Sequence, residues 1–205
     1  MEALKNSPLE WGVAGMALPG FPESGDRHVC HISAEGALIA VIDGIGHGAQ
    51  AAAAAKEACS TLESNVKENV IALIARCHER LKGTRGAAMS LASFAFKDAL
   101  LTWLAVGNVH GILLPAGSTW SDKEESLLQR PGVVGSQLPR LQAAVLPVSS
   151  GDTVVFATDG IEGNFDRTSI RSQPPQKAAE LILARHAKRN DDALILIARY
   201  AGYQR

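Results

Sequence analysis

Three aspartates stand where buried strands begin or end. Asp43 closes the apolar run Ala37-Leu-Ile-Ala-Val-Ile and is followed by Gly44. Asp159 closes Thr153-Val-Val-Phe-Ala-Thr and is followed by Gly160. Asp191, with Asp192 beside it, comes just before Ala193-Leu-Ile-Leu-Ile-Ala. In an antiparallel sheet the end of one strand adjoins the start of its neighbour, so all three carboxylates can meet on one rim. Crowded carboxylates repel and raise one another's pKa. A divalent cation offsets that repulsion, and an all-oxygen donor set favours Mg2+ or Mn2+. Gly44 permits a sharp turn and leaves its carbonyl accessible as a further ligand. Asp26, in Ser24-Gly25-Asp26, reads either as a turn aspartate or as a fourth carboxylate on the same rim. The loop Asp43-Gly-Ile-Gly-His-Gly48 enters an alanine-rich helix, and N–H groups at a helix start favour an anion. His47 in that loop either donates a proton to a leaving group or hydrogen-bonds within the loop.

Competing chemistries fail on context. Gly44-Ile-Gly46-His-Gly-Ala49 matches a loose dinucleotide fingerprint, but Asp43 would push a carboxylate toward the pyrophosphate. The acidic residue about 20 positions on is Glu63, which sits in a helical stretch rather than at a strand end. No cysteine has an arginine six residues later, and Ile45 replaces the second aspartate that an aspartyl-phosphate enzyme needs. There is no Gly-Lys pair for a phosphate loop, no G-x-S-x-G and no H-E-x-x-H. His28, Cys30, His31, Cys77 and His78 fit no zinc spacing; Cys30 and Cys77 read as core residues.

The elements that must position these residues form one domain over residues 1–205, a length that buries a sizeable core. With 46% hydrophobic and 20% charged residues the chain is globular, and its net charge of −1 gives no general attraction to nucleic acid. Three cysteines without a leader-like N-terminus point to a cytoplasmic protein without disulfides. The uncharged stretch Ala99–Ser121 is broken by Gly107, Asn108, His110, Gly111 and Pro115, and reads as a strand pair rather than a membrane span.

Strand-like runs cover Val13–Leu18, His28–Ser33, Ala37–Ile42, Ala87–Phe96, Leu100–Val106, Val109–Leu114, Thr153–Ala157 and Ala193–Arg199, with a hairpin turn at Phe96-Lys-Asp-Ala99. Helical signals cover Ala49–Lys67, a stripe at Val70, Ile74, Cys77 and Leu81, and a segment after Pro174-Pro175. Ser118–Gln129 reads as a surface loop. That order predicts an α+β fold, mostly antiparallel sheet with helices on its outer faces.

Asp43-Gly-Ile-Gly-His-Gly, Gly151-Asp-Thr-Val-Val-Phe-Ala-Thr-Asp-Gly160 and Asn190-Asp-Asp-Ala-Leu-Ile resemble the motifs of the metal-dependent PPM family of serine/threonine phosphatases, in particular its bacterial SpoIIE-type branch. Leu104-Ala-Val-Gly-Asn-Val-His-Gly is similar to that family's central glycine-containing strand pair. The resemblance implies a four-layer αββα sandwich of two antiparallel sheets flanked by helices. It implies two Mn2+ or Mg2+ ions, with the question of a third left open. Asp43 would bridge both, with the Gly44 carbonyl on one, and Asp159 and Asp191 on the other. Asp26 would match an early acidic position. The implied activity is hydrolysis of phosphoserine or phosphothreonine on STAS-domain stressosome proteins by a hydroxide held between the two metals. The alternative is a catalytically weak, PPM-like regulator that binds phosphoproteins. Leu194 stands where the last motif usually ends in Thr or Ala, which would weaken support behind the ligands. No arginine occupies a matching phosphate-gripping position; Arg27 is merely adjacent to Asp26.

Overall fold

The computed structural model describes residues 7–117, 124–165 and 167–203. The first three strands are β1 (Leu9–Met16), β2 (Asp26–Ile32) and β3 (Gly36–Gly44), followed by helices α1 (Ala49–Glu63) and α2 (Val70–Leu81). Seven strands follow: β4 (Ala87–Ala95), β5 (Leu100–Val106), β6 (His110–Leu114), β7 (Glu125–Ser126), β8 (Gln129–Arg130), β9 (Ala144–Pro147) and β10 (Thr153–Ala157). Helices α3 (Arg167–Ser172) and α4 (Pro175–His186) precede the last strand, β11 (Ala193–Tyr200).

The strands form two sheets. One has the order β1-β11-β10-β6-β7 and the other β2-β3-β4-β5-β8, with β9 also pairing β5. Their neighbours run antiparallel except for the short pair β5–β8, which is parallel. Strand alternation explains why so many runs are continuously apolar. In β3, Ala37, Ile39 and Val41 face the other sheet, while Leu38, Ala40 and Ile42 pack under α1 and α2. In β11, Leu194, Leu196 and Ala198 face inward, and Ala193, Ile195 and Ile197 meet the α3–α4 layer. A strand covered on both faces loses the polar half of the usual alternation. The result is the expected αββα order of layers, with one core between the sheets and one beneath each helix pair.

The predicted helical stripe is the buried face of α2: Val70, Ile74, Cys77 and Leu81 are all inaccessible. The Asn69 side chain accepts the Ala72 N–H at 2.9 Å and caps that helix. Pro175 opens α4 as its first residue, where a missing N–H costs nothing. Helix α1 ends at Glu63 rather than reaching Lys67, because the following residues turn back; Asn65 Nδ2 donates to Thr61 O at 2.7 Å. Strand β1 begins and ends earlier than expected, pairing from Leu9↔Tyr200 to Met16↔Ala193. Leu18 leaves the sheet, and its N–H goes to Asp192 instead.

The expected loop over Ser118–Gln129 is only partly describable: residues 118–123 lie outside the described residues, while Glu125–Ser126 and Gln129 belong to β7 and β8. These two-residue strands and the largely exposed β9 carry too little apolar alternation to be read from sequence. Among the described residues no helix is long and apolar enough to cross a membrane, and the described part of the uncharged stretch ends the β4–β5 turn at Ala99 and then forms β5 and β6.

Helix α4 lies directly on β1. A Cβ at Gly12 would fall 2.2 Å from Gln176 Cα, whereas one at Gly163 meets nothing within 4 Å. Gly12→Ala is therefore expected to lower the unfolding free energy by about 1–3 kcal/mol, and Gly163→Ala by no more than about 0.5 kcal/mol. Denaturant titration of both variants checks the difference.

Candidate active site

The same two-residue period that builds the core aims the acids. Asp43 follows Ile39 and Val41 on the inner face of β3, and Asp26 precedes Cys30 and Ile32 on the inner face of β2. The two aspartates are direct cross-strand partners. From the other sheet, Thr158 and Asp159 follow β10, while Asp191 and Asp192 lead into β11. The sandwich thus brings acids from both sheets to one end of the inter-sheet core.

Hydrogen bonds stitch the two sheets together there. Thr158 Oγ1 donates to Asp26 Oδ2 at 2.8 Å and accepts the Leu194 N–H at 2.9 Å. Asp192 is buried and accepts two backbone N–H groups, Leu18 at 2.7 Å and Gly25 at 2.7 Å. It therefore anchors the segment that delivers Asp26. Asn108 Nδ2 donates to Asp159 Oδ2 at 2.7 Å and orients that carboxylate. Asp191 Oδ1 accepts the N–H of Asp192 at 2.8 Å. Close backbone approach completes the frame. A Cβ at Gly44 would fall 2.2 Å from Ala51 O in α1, and one at Gly160 would fall 2.0 Å from Asp192 O.

Charge is unbalanced at this end. Burial, then the neighbouring charge of Asp43, push the Asp26 carboxyl up to about 8, against a weaker lowering by its Thr158 hydrogen bond. Burial, then the charges of Asp159, Asp191 and Asp192, push Asp43 up to about 7. None of these acids forms an ion pair with a lysine or arginine among the described residues. Among those residues no three carboxylate, imidazole or thiol groups are already gathered as a closed metal cage. In kind, the donors fit a hard divalent cation: oxygen ligands, negative, partly desolvated and without a protein cation.

The sequence-predicted residues separate into two groups. Asp26 and Asp43 meet directly, and Asp159 and Asp191 act electrostatically on Asp43. Gly44 donates its N–H to Gly25 O at 3.1 Å and lies at the same strand end. His47 is exposed and packs on the Phe21 ring, with centroids 4.5 Å apart; no described hydrogen bond joins it to an acid. Arg27 is drawn toward Glu23 at 3.6 Å. Sequence reasoning passed over Asp192, Thr158 and Asn108 as functional residues. Thr158 and Asp192 share the inward parity of Phe156 and Leu194 on their strands, a signal legible only once the inner faces are known. Leu194 supports Thr158 through its backbone, and its side chain fills the inter-sheet core. The departure from Thr or Ala at this position therefore leaves that support intact. The cysteines are unsuited to chemistry, since burial pushes the Cys30, Cys59 and Cys77 thiols up to about 12.

A groove of about 520 Å3 opens beside the acids, lined by Ile45, Ala88, Gly107, Asn108, Pro131 and Val133 among others. Another, of about 310 Å3, includes Asp26 in its wall.

A carboxyl whose native pKa exceeds its unfolded value binds its proton more tightly when folded. Its ionisation therefore destabilises the native state. With Asp26 at about 8, the metal-free protein is expected to lose stability as pH rises from about 4 to about 8. Thermal melts in chelator should show that slope, and Asp26→Asn should make it shallower and leave the part that Asp43 contributes between about pH 4 and about 7. Thr158→Val strands Asp26 and the Leu194 N–H; it is expected to cost about 1–3 kcal/mol in denaturant unfolding.

The sequence matches the family described as Stage II sporulation protein E (SpoIIE) over residues 33–201. It is 24% identical over 164 residues to the phosphoserine phosphatase RsbX of Bacillus subtilis (strain 168), covering 79% of this chain and 80% of that protein. A solved chain described under the bacterial stressosome, a modular system adapted to control secondary messenger signaling, superposes with a TM-score of 0.87 at 30% identity, covering 93% of this chain and 99% of that one. RsbX in complex with magnesium has the same fold, with a TM-score of 0.83 at 22% identity over 93% of this chain and 94% of that one. The matched segment holds Asp43, Asp159 and Asp191 in the order and strand contexts described above, and the chain belongs to the SpoIIE family of PPM-type phosphatases.

Proposed function

We propose that this chain is a single SpoIIE-type domain that hydrolyses phosphoserine or phosphothreonine on STAS-domain proteins of a stressosome, in the cytoplasm. The observation that carries the reading is the convergence of Asp26 and Asp43 from one sheet with Asp159, Asp191 and Asp192 from the other, with no lysine or arginine paired to them among the described residues. The stressosome substrate draws on the likeness to RsbX and to the solved stressosome chain.

Asp26, Asp43, the Gly44 carbonyl, Asp159 and Asp191 would hold two Mn2+ or Mg2+ ions. When bound, such ions supply Lewis-acid activation of water and of the phosphoryl group. The remaining work falls to the chain. Thr158 holds Asp26 in place from the opposite sheet, and Asn108 fixes the orientation of Asp159. Asp192 is a positioning residue, tying down both ends of the segment 18–25 through the Leu18 and Gly25 N–H groups. His47, exposed in the loop after Asp43, or a water on a bound ion would give a proton to the departing seryl or threonyl oxygen. The reading as a non-catalytic phosphoprotein-binding regulator is motivated by Leu194, and since Leu194 acts through its main chain, that residue does not favour it.

Hydrolysis of a phosphoserine peptide in Mn2+ is expected to be lost on chelation and to fall by at least about 100-fold in Asp43→Asn. No phosphorylated enzyme is expected to accumulate in rapid-quench experiments. Full activity in Asp43→Asn would reject the assignment, and Mn2+ binding without turnover on any phosphorylated STAS protein would favour the regulator.

A further inference from the structure

Arg85 lies in the turn between α2 and β4, a position the motifs do not single out. The turn is clamped to the loop that leaves β3, since the Ile45 N–H donates to Gly86 O at 3.0 Å. A Cβ at Gly46 would fall 2.5 Å from Arg85 Nη1 and 3.7 Å from Cζ. The guanidinium therefore lies across bare backbone three residues beyond Asp43. Gly46 has φ of 85°, a conformation that glycine adopts without strain. Arg85 Nε donates to Gln50 Oε1 at 2.7 Å, which ties the group to the first turn of α1.

Two features separate Arg85 from an ordinary surface arginine. Its tether is a neutral amide, whereas the cations Arg27 and Lys56 both face a carboxylate, Glu23, at 3.6 and 2.6 Å. Among the described residues Arg85 forms no ion pair. The tether also occupies Nε and leaves the Nη1–Nη2 edge, the edge that meets two oxygens of a phosphoryl group in parallel. A dianion arriving at an end of the sandwich crowded with aspartates needs such a counter-charge.

We propose that Arg85 is a specificity-determining residue that grips the phosphoryl group of the substrate. This rests on the phosphatase reading above. Arg85→Ala is expected to raise KM for a phosphoserine peptide, and to weaken inhibition by inorganic phosphate, by about 10- to 100-fold, the scale of charge-assisted hydrogen bonds. Mn2+ affinity by calorimetry and the melting temperature stay unchanged. Arg85→Lys recovers only part of the loss, because an ammonium cannot present the fork. Inorganic phosphate binding to the Mn2+-loaded protein, measured by calorimetry, reads the same contact without turnover. KM and phosphate affinity within about twofold of the unsubstituted protein overturn the proposal. So does a parallel loss of Mn2+ affinity, which would mark Arg85 as a brace for the loop. Absence of hydrolysis in the unsubstituted protein overturns the phosphatase reading instead, and the phosphate-binding comparison still decides the role of Arg85.

Discussion

Uncompensated negative charge at one end of the inter-sheet core is the constraint around which this molecule is built. Two carboxylates face each other across adjacent strands, and more arrive from the second sheet. Burial and mutual repulsion both work against their ionised forms. A protein selected for stability alone would place apolar residues or a lysine there. The fold keeps the acids and surrounds them with fixed donors: a threonine hydroxyl on Asp26, an amide on Asp159 and two backbone N–H groups on Asp192. Those bonds tolerate the charge in place without neutralising it, which leaves the site receptive to hard cations.

The rest of the architecture serves that placement. Apolar side chains between the sheets hold two independent registers together, so that strand ends from each sheet remain beside one another. At the crowded end the chain relies on small residues. Gly44 and Gly160 allow backbone to approach backbone where any side chain would collide. The buried alanines Ala51, Ala52, Ala54 and Ala55 let α1 lie close against its sheet, which brings the loop before it down to the same rim. Arg85, held by Gln50, lies over that loop at Gly46.

Much of this was legible in the residues. Continuous apolar runs ending in Asp-Gly located the buried strands and the acids at their ends. The spacing of Val70, Ile74, Cys77 and Leu81 located the half-buried helix, and Pro175 the start of the last one. These signals are local: they depend on side-chain period and backbone preference over a few residues, which the chain carries wherever it folds. The short strands β7, β8 and β9 and the helix α3 left no such trace, since their pairing partners supply the order that their own sequence lacks.

What the tertiary structure alone decided is which acids meet and what holds them. Nothing in the spacing distinguishes Asp26 as a turn aspartate from Asp26 as the cross-strand partner of Asp43; the β2–β3 register does. Asp192 reads as a neighbour of Asp191 until strand parity turns it inward and two distant N–H groups reach it, from residues 174 and 167 positions away. Thr158 bridges two sheets, and Arg85 reaches a loop some 40 residues earlier in the chain, contacts that no local pattern encodes. The sequence determined what each strand and helix would be and which residue types stood at their ends. Long-range packing determined their neighbours, because a carboxylate's partners depend on the register and layering of segments far apart along the chain.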